Sequence, residues 1–191
     1  MRPRRSFRAL WIMLAIAAAV PNRALAQSDS GFEVAGGYGF LRDVDGDATF
    51  PRGWFASVAG DVAGPISLVG DFGGNYKSMG GLDVELSMSI HTLMGGPRFR
   101  PRSARIAPYV QMLFGVARTA STFELPDERL TSARNDFAMT PGGGVDVRLS
   151  DRAALRFGAN LRLIRAETFT ASGSEPFTYK EIQFIAGMVV R

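Results

Sequence analysis

Residues 137–163 read FAMTPGGGVDVRLSDRAALRFGANLRL. Phe137, Met139, Pro141, Gly143, Val145, Val147 and Leu149 alternate with Ala138, Thr140, Gly142, Gly144, Asp146 and Arg148. Ser150-Asp151-Arg152 then turns the chain, and Leu155, Phe157, Ala159, Leu161 and Leu163 alternate with Arg156, Gly158, Asn160 and Arg162. A repeat of two is the period of a β-strand. Two such runs about a short turn predict an antiparallel hairpin. Each arm is about twice the usual strand of a soluble sheet, the length a tilted strand needs to cross a bilayer.

The same alternation recurs over 32–40, 54–62, 66–76, 86–94, 109–116 and 181–190, making eight predicted strands. Their connections alternate in length. Residues 63–65 and 150–152 are tight turns and 97–106 a longer one, whereas 41–53, 77–83, 118–135 and 167–178 are extended polar stretches expected to be loops. Short turns on one rim and long loops on the other predict an all-β fold, an eight-stranded antiparallel up-and-down transmembrane β-barrel with its short side periplasmic.

Period alone does not say which face looks outward. A soluble lipocalin-like barrel would turn its polar face to water and carry many long Lys and Glu side chains there. The polar positions here are mostly Gly, Ala and Ser, as expected of a narrow interior that side chains fill, and the basic residues beyond the N-terminal segment include only two lysines, Lys77 and Lys180. The apolar face is therefore assigned to lipid, with Trp54, Tyr76, Phe137, Phe177 and Tyr179 expected in an interfacial aromatic girdle. Parity places Glu33, Asp61, Asp71, Glu85, Asp146 and Glu181 in the lumen with Arg148, Arg156 and Arg162 as counter-charges. The turn centred on Asp151 sets Asp146 opposite Arg156, and the last hairpin brings Arg162 close to Glu181. Both are predicted as lumen ion pairs, since isolated charges in so narrow an interior are costly.

Residues 1–26 read as a secretory signal peptide. Arg2, Arg4, Arg5 and Arg8 form a basic head, 9–20 is an apolar run too short to span a bilayer, and Ala24-Leu25-Ala26 offers a cleavage site before Gln27. The barrel domain is accordingly expected over 27–191. Arg4-Arg5-Ser6-Phe7 approaches a twin-arginine signal, but a lipid-facing exterior cannot cross a periplasm folded, so the general secretory route is expected. Five of the 22 basic residues and none of the 18 acidic ones lie in this segment, leaving 17 against 18. The high pI thus gives no support to nucleic-acid binding.

Chemistry is sparse. With no cysteine and one histidine, neither a disulfide framework nor a metal or cofactor site is expected. His91 falls by parity on the lumen face beside Ser87 and Ser89, where it reads as a packed polar residue and not as a catalytic base. Asp43-Val44-Asp45-Gly46-Asp47 lacks the glycine and distal Glu spacing of a calcium loop and reads as a solvated acidic loop. Arg98, Arg100, Arg102 and Arg105 read as a solvated turn. Gly142-Gly143-Gly144 precedes no helix, so it is no phosphate cradle; it lets a strand bend.

The run Gly95-Gly96-Pro97-Arg98-Phe99, then Pro108-Tyr109-Val110-Gln111 with Leu113-Phe114-Gly115, then Gly142-Gly143-Gly144-Val145-Asp146 with Leu155-Arg156, resembles the outer-membrane β-barrel domain family of small, porin-like eight-stranded proteins. The resemblance covers about 32–191. It implies the outer membrane of a Gram-negative-type bacterium, contact with outer-membrane lipids and insertion by the barrel assembly machinery. The charge-paired lumen points to a structural or surface-presenting role. A narrow ion-conducting channel, a lipid-modifying enzyme and a soluble lipocalin-like binder are the alternatives.

Overall fold

The computed structural model describes residues 31–191 except 45, 47, 82–83, 102–104, 125–128 and 171–172, and leaves aside the side chains at 81–85, 124–129 and 166–176. The expected signal peptide, Asp45, Asp47, Arg102 and the side chain of Glu85 lie outside the described residues.

Regular structure in the described residues is all strand: β1 Phe32–Asp43, β2 Thr49–Phe50, β3 Arg52–Ala63, β4 Ile66–Gly81, β5 Val84–Phe99, β6 Ile106–Glu124, β7 Arg129–Arg148, β8 Ala153–Thr170 and β9 Gly173–Val190. Each long strand pairs antiparallel with the next, and β9 pairs back onto β1. Eight strands thus close the wall, while the two-residue β2 rides on the end of β1 at Leu41 and Arg42. Closure gives each wall strand a neighbour on both sides, so no sheet edge bares its N–H and C=O groups to hydrocarbon. Val34, Val58, Gly70, Gly95, Phe114, Met139, Leu163 and Lys180 lie opposite one another in turn. Lys180 O then accepts from Val44 N, just beyond the end of β1, and not from the level of Val34. That offset is the stagger that tilts the strands, typically by about 35–45°.

The turn between β3 and β4 depends on Gly64, whose φ of 53° is left-handed and favours glycine. At the other rim the strands run well past the expected boundaries. Much of 77–83, 118–135 and 167–178, expected to be loop, is paired strand: Arg118 faces Asn135, Thr122 faces Thr131, and Thr168 faces Glu175. Above the lipid both faces of a ribbon meet water, so apolar alternation disappears while the backbone ladder continues. Alternation therefore marked the membrane-facing part of each strand and not its end.

Burial sets the faces. Val34, Val58, Leu68, Val110, Phe114, Phe157 and Met188 are exposed on the outer wall, and Glu33, Ser57, Val69, Gln111, Asp146, Arg156 and Gln183 are buried on the inner one. On seven long strands this is the expected parity. On β5 it is reversed: Ile90, Thr92, Met94 and Arg98 are buried inside, while Leu93 and Phe99 face out and His91 is exposed. The interior has its own apolar layer, Val69, Met94, Leu113, Ala117, Ala138 and Ile164, so the apolar residues of β5 with the clearest alternation are the ones that fill the lumen.

Glycines let the wall meet large interior groups. A Cβ at Gly144 would overlap the Phe157 backbone oxygen and lie 2.7 Å from Gly158 Cα and 2.9 Å from Tyr109 Oη. The glycine cluster therefore makes room for the neighbouring strand and for Tyr109, beyond allowing a bend. Gly144→Ala is expected to lower stability by about 1–3 kcal/mol, whereas Gly60→Ala, with nothing within 4 Å of the added Cβ, should change little. Denaturant unfolding of the two variants in detergent measures the contrast.

Candidate functional site

At the short-turn end of the lumen, four strands and two flanking segments build a cluster around two carboxylates. Glu33 comes from β1 and Asp146 from β7. Arg98 comes from β5, Arg156 from β8, and Arg100 and Arg191 from the segments just beyond β5 and β9. Arg156 is fully buried. Its Nε and Nη2 donate to the two Asp146 oxygens at 2.8 and 2.9 Å, and Nη2 also reaches Glu33 Oε1 at 2.7 Å. Arg98 Nη1 donates to the same Glu33 oxygen at 2.7 Å. Arg100 bridges Glu33 and Asp146, and Arg191 does so from the rim at 3.2 and 2.7 Å. The ring of Tyr109 lies between two guanidinium groups, Arg98 at 4.9 Å and Arg156 at 4.8 Å from its centroid. Charge-assisted bonds of this density among buried side chains hold their members in place, because each lost partner leaves a buried charge uncompensated.

Above this cluster a neutral chain continues across the lumen. Arg98 Nε and Nη2 donate to Gln111 Oε1 at 3.0 and 2.8 Å, Gln111 donates to Asn160 at 3.2 Å, and Asn160 to Gln183 at 3.4 Å. Near the loop end Arg162 faces Glu181 in the β8–β9 register, with Nη1 3.3 Å from Oε2. A cavity of about 330 Å³ opens at that mouth, its wall including Phe50, Met88, Ile90, Ile164, Tyr179 and Glu181. The apolar cluster of Val69, Met94, Leu113, Ala117, Ala138 and Ile164 fills the lumen alongside this polar chain, so the interior is open and mixed at the loop rim and ionic at the short-turn rim.

The residues singled out from sequence fall as follows. Asp146 and Arg156 face each other in the β7–β8 register, and Glu33 joins them. Asp61 is on the inner side and accepts a bond from Ser67 at 2.7 Å. Asp71 is half-buried on the inner face of β4, opposite Ser57 and Met94. Arg148 shares the inward parity of Asp146 but is exposed at the rim. Trp54 and Tyr76 lie on the outer wall, where Trp54 Nε1 donates to Tyr76 Oη at 3.3 Å, and Phe137 is exposed there as well.

Three expectations are corrected. Phe177 and Tyr179 do not belong to the girdle: they share the inward parity of Glu181, stack edge to face at 4.8 Å, and Tyr179 lines the mouth. His91 is not in the lumen. It points outward, its Nε2 3.0 Å from Tyr76 Oη and its ring edge-on to that tyrosine. Arg98 and Arg100 are not a solvated turn; they are 2% and 8% exposed and complete the charge cluster. The signal for all three lay in parity. Counting by twos inward from Met94 leads to Arg98 and Arg100, and outward from Glu181 to Tyr179 and Phe177, but on β5 the starting face was assigned the wrong way round.

The chain matches the model of a family described as the outer membrane protein beta-barrel domain over residues 11–189. No curated protein matches it. Among solved structures it is similar to Ail, the attachment invasion locus protein of Yersinia pestis, with a TM-score of 0.60 and 12% identity over 85% of this chain and 99% of that one. It is also similar to Neisserial surface protein A, with a TM-score of 0.62 and 12% identity over 86% and 99%. Outer membrane protein W of Escherichia coli has a TM-score of 0.52 and 9% identity over 85% and 97%. At such identities the likeness is one of fold.

Proposed function

Because this chain belongs to the outer membrane protein beta-barrel domain family, we propose that it serves in the bacterial outer membrane as a closed wall protein that holds its long hairpins at the cell surface and passes no solute. One observation carries the reading. Glu33, Arg98, Arg100, Asp146 and Arg156 interlock across the lumen, all less than a tenth exposed, and a chain of mutually bonded Gln111, Asn160 and Gln183 continues from them. An ion entering from either rim meets side chains already bonded to one another and would have to displace buried ion pairs to pass. The paired extensions of β6, β7, β8 and β9 supply ribbons for surface contact, the part of a barrel that carries recognition. Export unfolded by the general secretory route and insertion by the barrel assembly machinery accompany this reading.

A non-enzymatic role is favoured by the surroundings of His91, whose polar contact is a tyrosine hydroxyl on the lipid side and not a serine or carboxylate. Planar-bilayer recording tests the proposal. The wild-type barrel is expected to show no unitary conductance, and Arg156→Ala together with Arg98→Ala should open measurable steps. Stable conductance of the wild type would replace this reading with a narrow channel.

A further inference from the structure

The short-turn mouth of the lumen collects charge of one sign. Beyond the expected signal segment the chain has 17 basic and 18 acidic residues, yet the described residues of this end carry seven arginines against four acids, Glu33, Asp61, Asp146 and Asp151. Asp71, the next acid inward, sits farther up β4 opposite Met94. Arg98 and Arg156 form the deep layer. The other five follow one another on successive strands: Arg100 just beyond β5, Arg105 just before β6, Arg148 at the end of β7, Arg152 just before β8 and Arg191 just beyond β9. Counting by twos from Arg98, Ala107, Asp146, Ala154 and Val189, all buried inside, each of the five keeps inward parity. They therefore border the mouth of the lumen and not the outer wall.

The backbone brings neighbours in this arc side by side. Arg148 N donates to Arg105 O and Arg191 N to Arg152 O, each at 2.9 Å. Like charges so placed repel unless an anion lies between or over them. The carboxylates of the cluster are already engaged, since all four oxygens of Glu33 and Asp146 accept from a guanidinium. Donors are in surplus instead. Arg156 Nη1 and Tyr109 Oη are buried without a hydrogen-bond partner, and Arg100 meets the carboxylates through Nη1 alone. Among the described residues neither Arg105 nor Arg152 has an ion-pair partner, and both are exposed. Planar guanidinium forks gathered at one opening match an oxyanion with several charged oxygens. Adjacent strands lie about 4.8 Å apart, so an arc across five of them outreaches a single phosphate and suits a short chain of them.

We propose that the short-turn mouth is a binding site for a soluble oligophosphate, gripped by Arg105, Arg148 and Arg152 with Arg100 and Arg191 beneath it. Lipid headgroups surround the outer wall, on the opposite parity, whereas a dissolved anion reaches the mouth directly. In the orientation expected of the short turns, this mouth opens to the periplasm. The interlocked cluster of Glu33 and Asp146 closes the site from above, so the anion is held and not passed.

The test is calorimetric titration of the folded barrel in non-ionic detergent with tripolyphosphate. Saturable binding of one anion per barrel is expected, weakening with added salt. Arg105→Gln/Arg152→Gln should bind about tenfold more weakly while keeping heat-modifiable mobility on gels, whereas Arg42→Gln/Arg165→Gln, at exposed arginines of the other rim, should bind as wild type does. Citrate, a compact tricarboxylate, should also bind about tenfold more weakly than tripolyphosphate. Nanodiscs distinguish the sources of phosphate: affinity should be the same in phosphatidylcholine and phosphatidylglycerol discs. Absence of saturable binding, undiminished binding by the first variant, equal loss in the second, equal affinity for citrate, or competition by phosphatidylglycerol would each overturn the proposal.

Discussion

Phe114→Arg, in the middle of the outer face of β6, should destabilise the membrane-inserted barrel by about 2–4 kcal/mol. Phe114 is exposed and lies opposite Gly95 and Met139 in the middle of the apolar belt. An arginine there must either stay in hydrocarbon or draw headgroups and water toward itself, and both cost free energy that phenylalanine does not. The same change on a soluble barrel would put a charge on a wet surface and shift stability by about 0.5 kcal/mol or less. Ala133→Arg, on the exposed extension of β7 beyond the apolar belt, should behave in that second way. Reversible unfolding from lipid vesicles distinguishes the two positions. A neutral Phe114→Arg would mean that the outer wall does not face lipid.

Arg156→Ala is expected to cost about 3 kcal/mol or more. Its guanidinium makes three bonds to Glu33 and Asp146 in a site without solvent exposure, and deleting one member of a buried ion pair typically costs about 3–5 kcal/mol. Arg98, Arg100 and Arg191 remain beside the same carboxylates and offset part of the loss, but none is placed to replace the two-pronged grip on Asp146. Arg156→Ala/Asp146→Ala should be less destabilised than the sum of the two single changes, because the second removes the charge stranded by the first. Arg105→Ala, at an exposed position, should lie within about 0.5 kcal/mol of wild type. The urea midpoint in detergent, with heat-modifiable mobility as the check on folding, gives the ranking. If Arg156→Ala matched Arg105→Ala, the cluster would contribute nothing to holding the lumen closed.

Much of this architecture is legible in one dimension because a strand that separates lipid from a packed interior must alternate. Seven of the eight long strands declared their faces in that way. The Asp146–Arg156 and Arg162–Glu181 juxtapositions were also legible, since each pair lies within one hairpin and a short or well-centred turn carries the register only a few residues away. The cluster around Glu33 was less so. Arg98 is 65 positions from Glu33 and Arg156 is 123, and they meet because β1 closes against β9, which no local signal sets. β5 was misread because its interior residues Ile90 and Met94 are as greasy as a lipid-facing pair, while His91 and the two serines near it face outward.

The linear order of residues determined that this protein is built of long alternating strands joined by short turns on one rim, which requires a closed cylinder in lipid. The tertiary structure decided which face of β5 looks inward and which arginines share a carboxylate. Alternation defines two faces for each strand without saying which is inside; only hydrogen-bonded register with both neighbours, set by the stagger at closure, makes that choice.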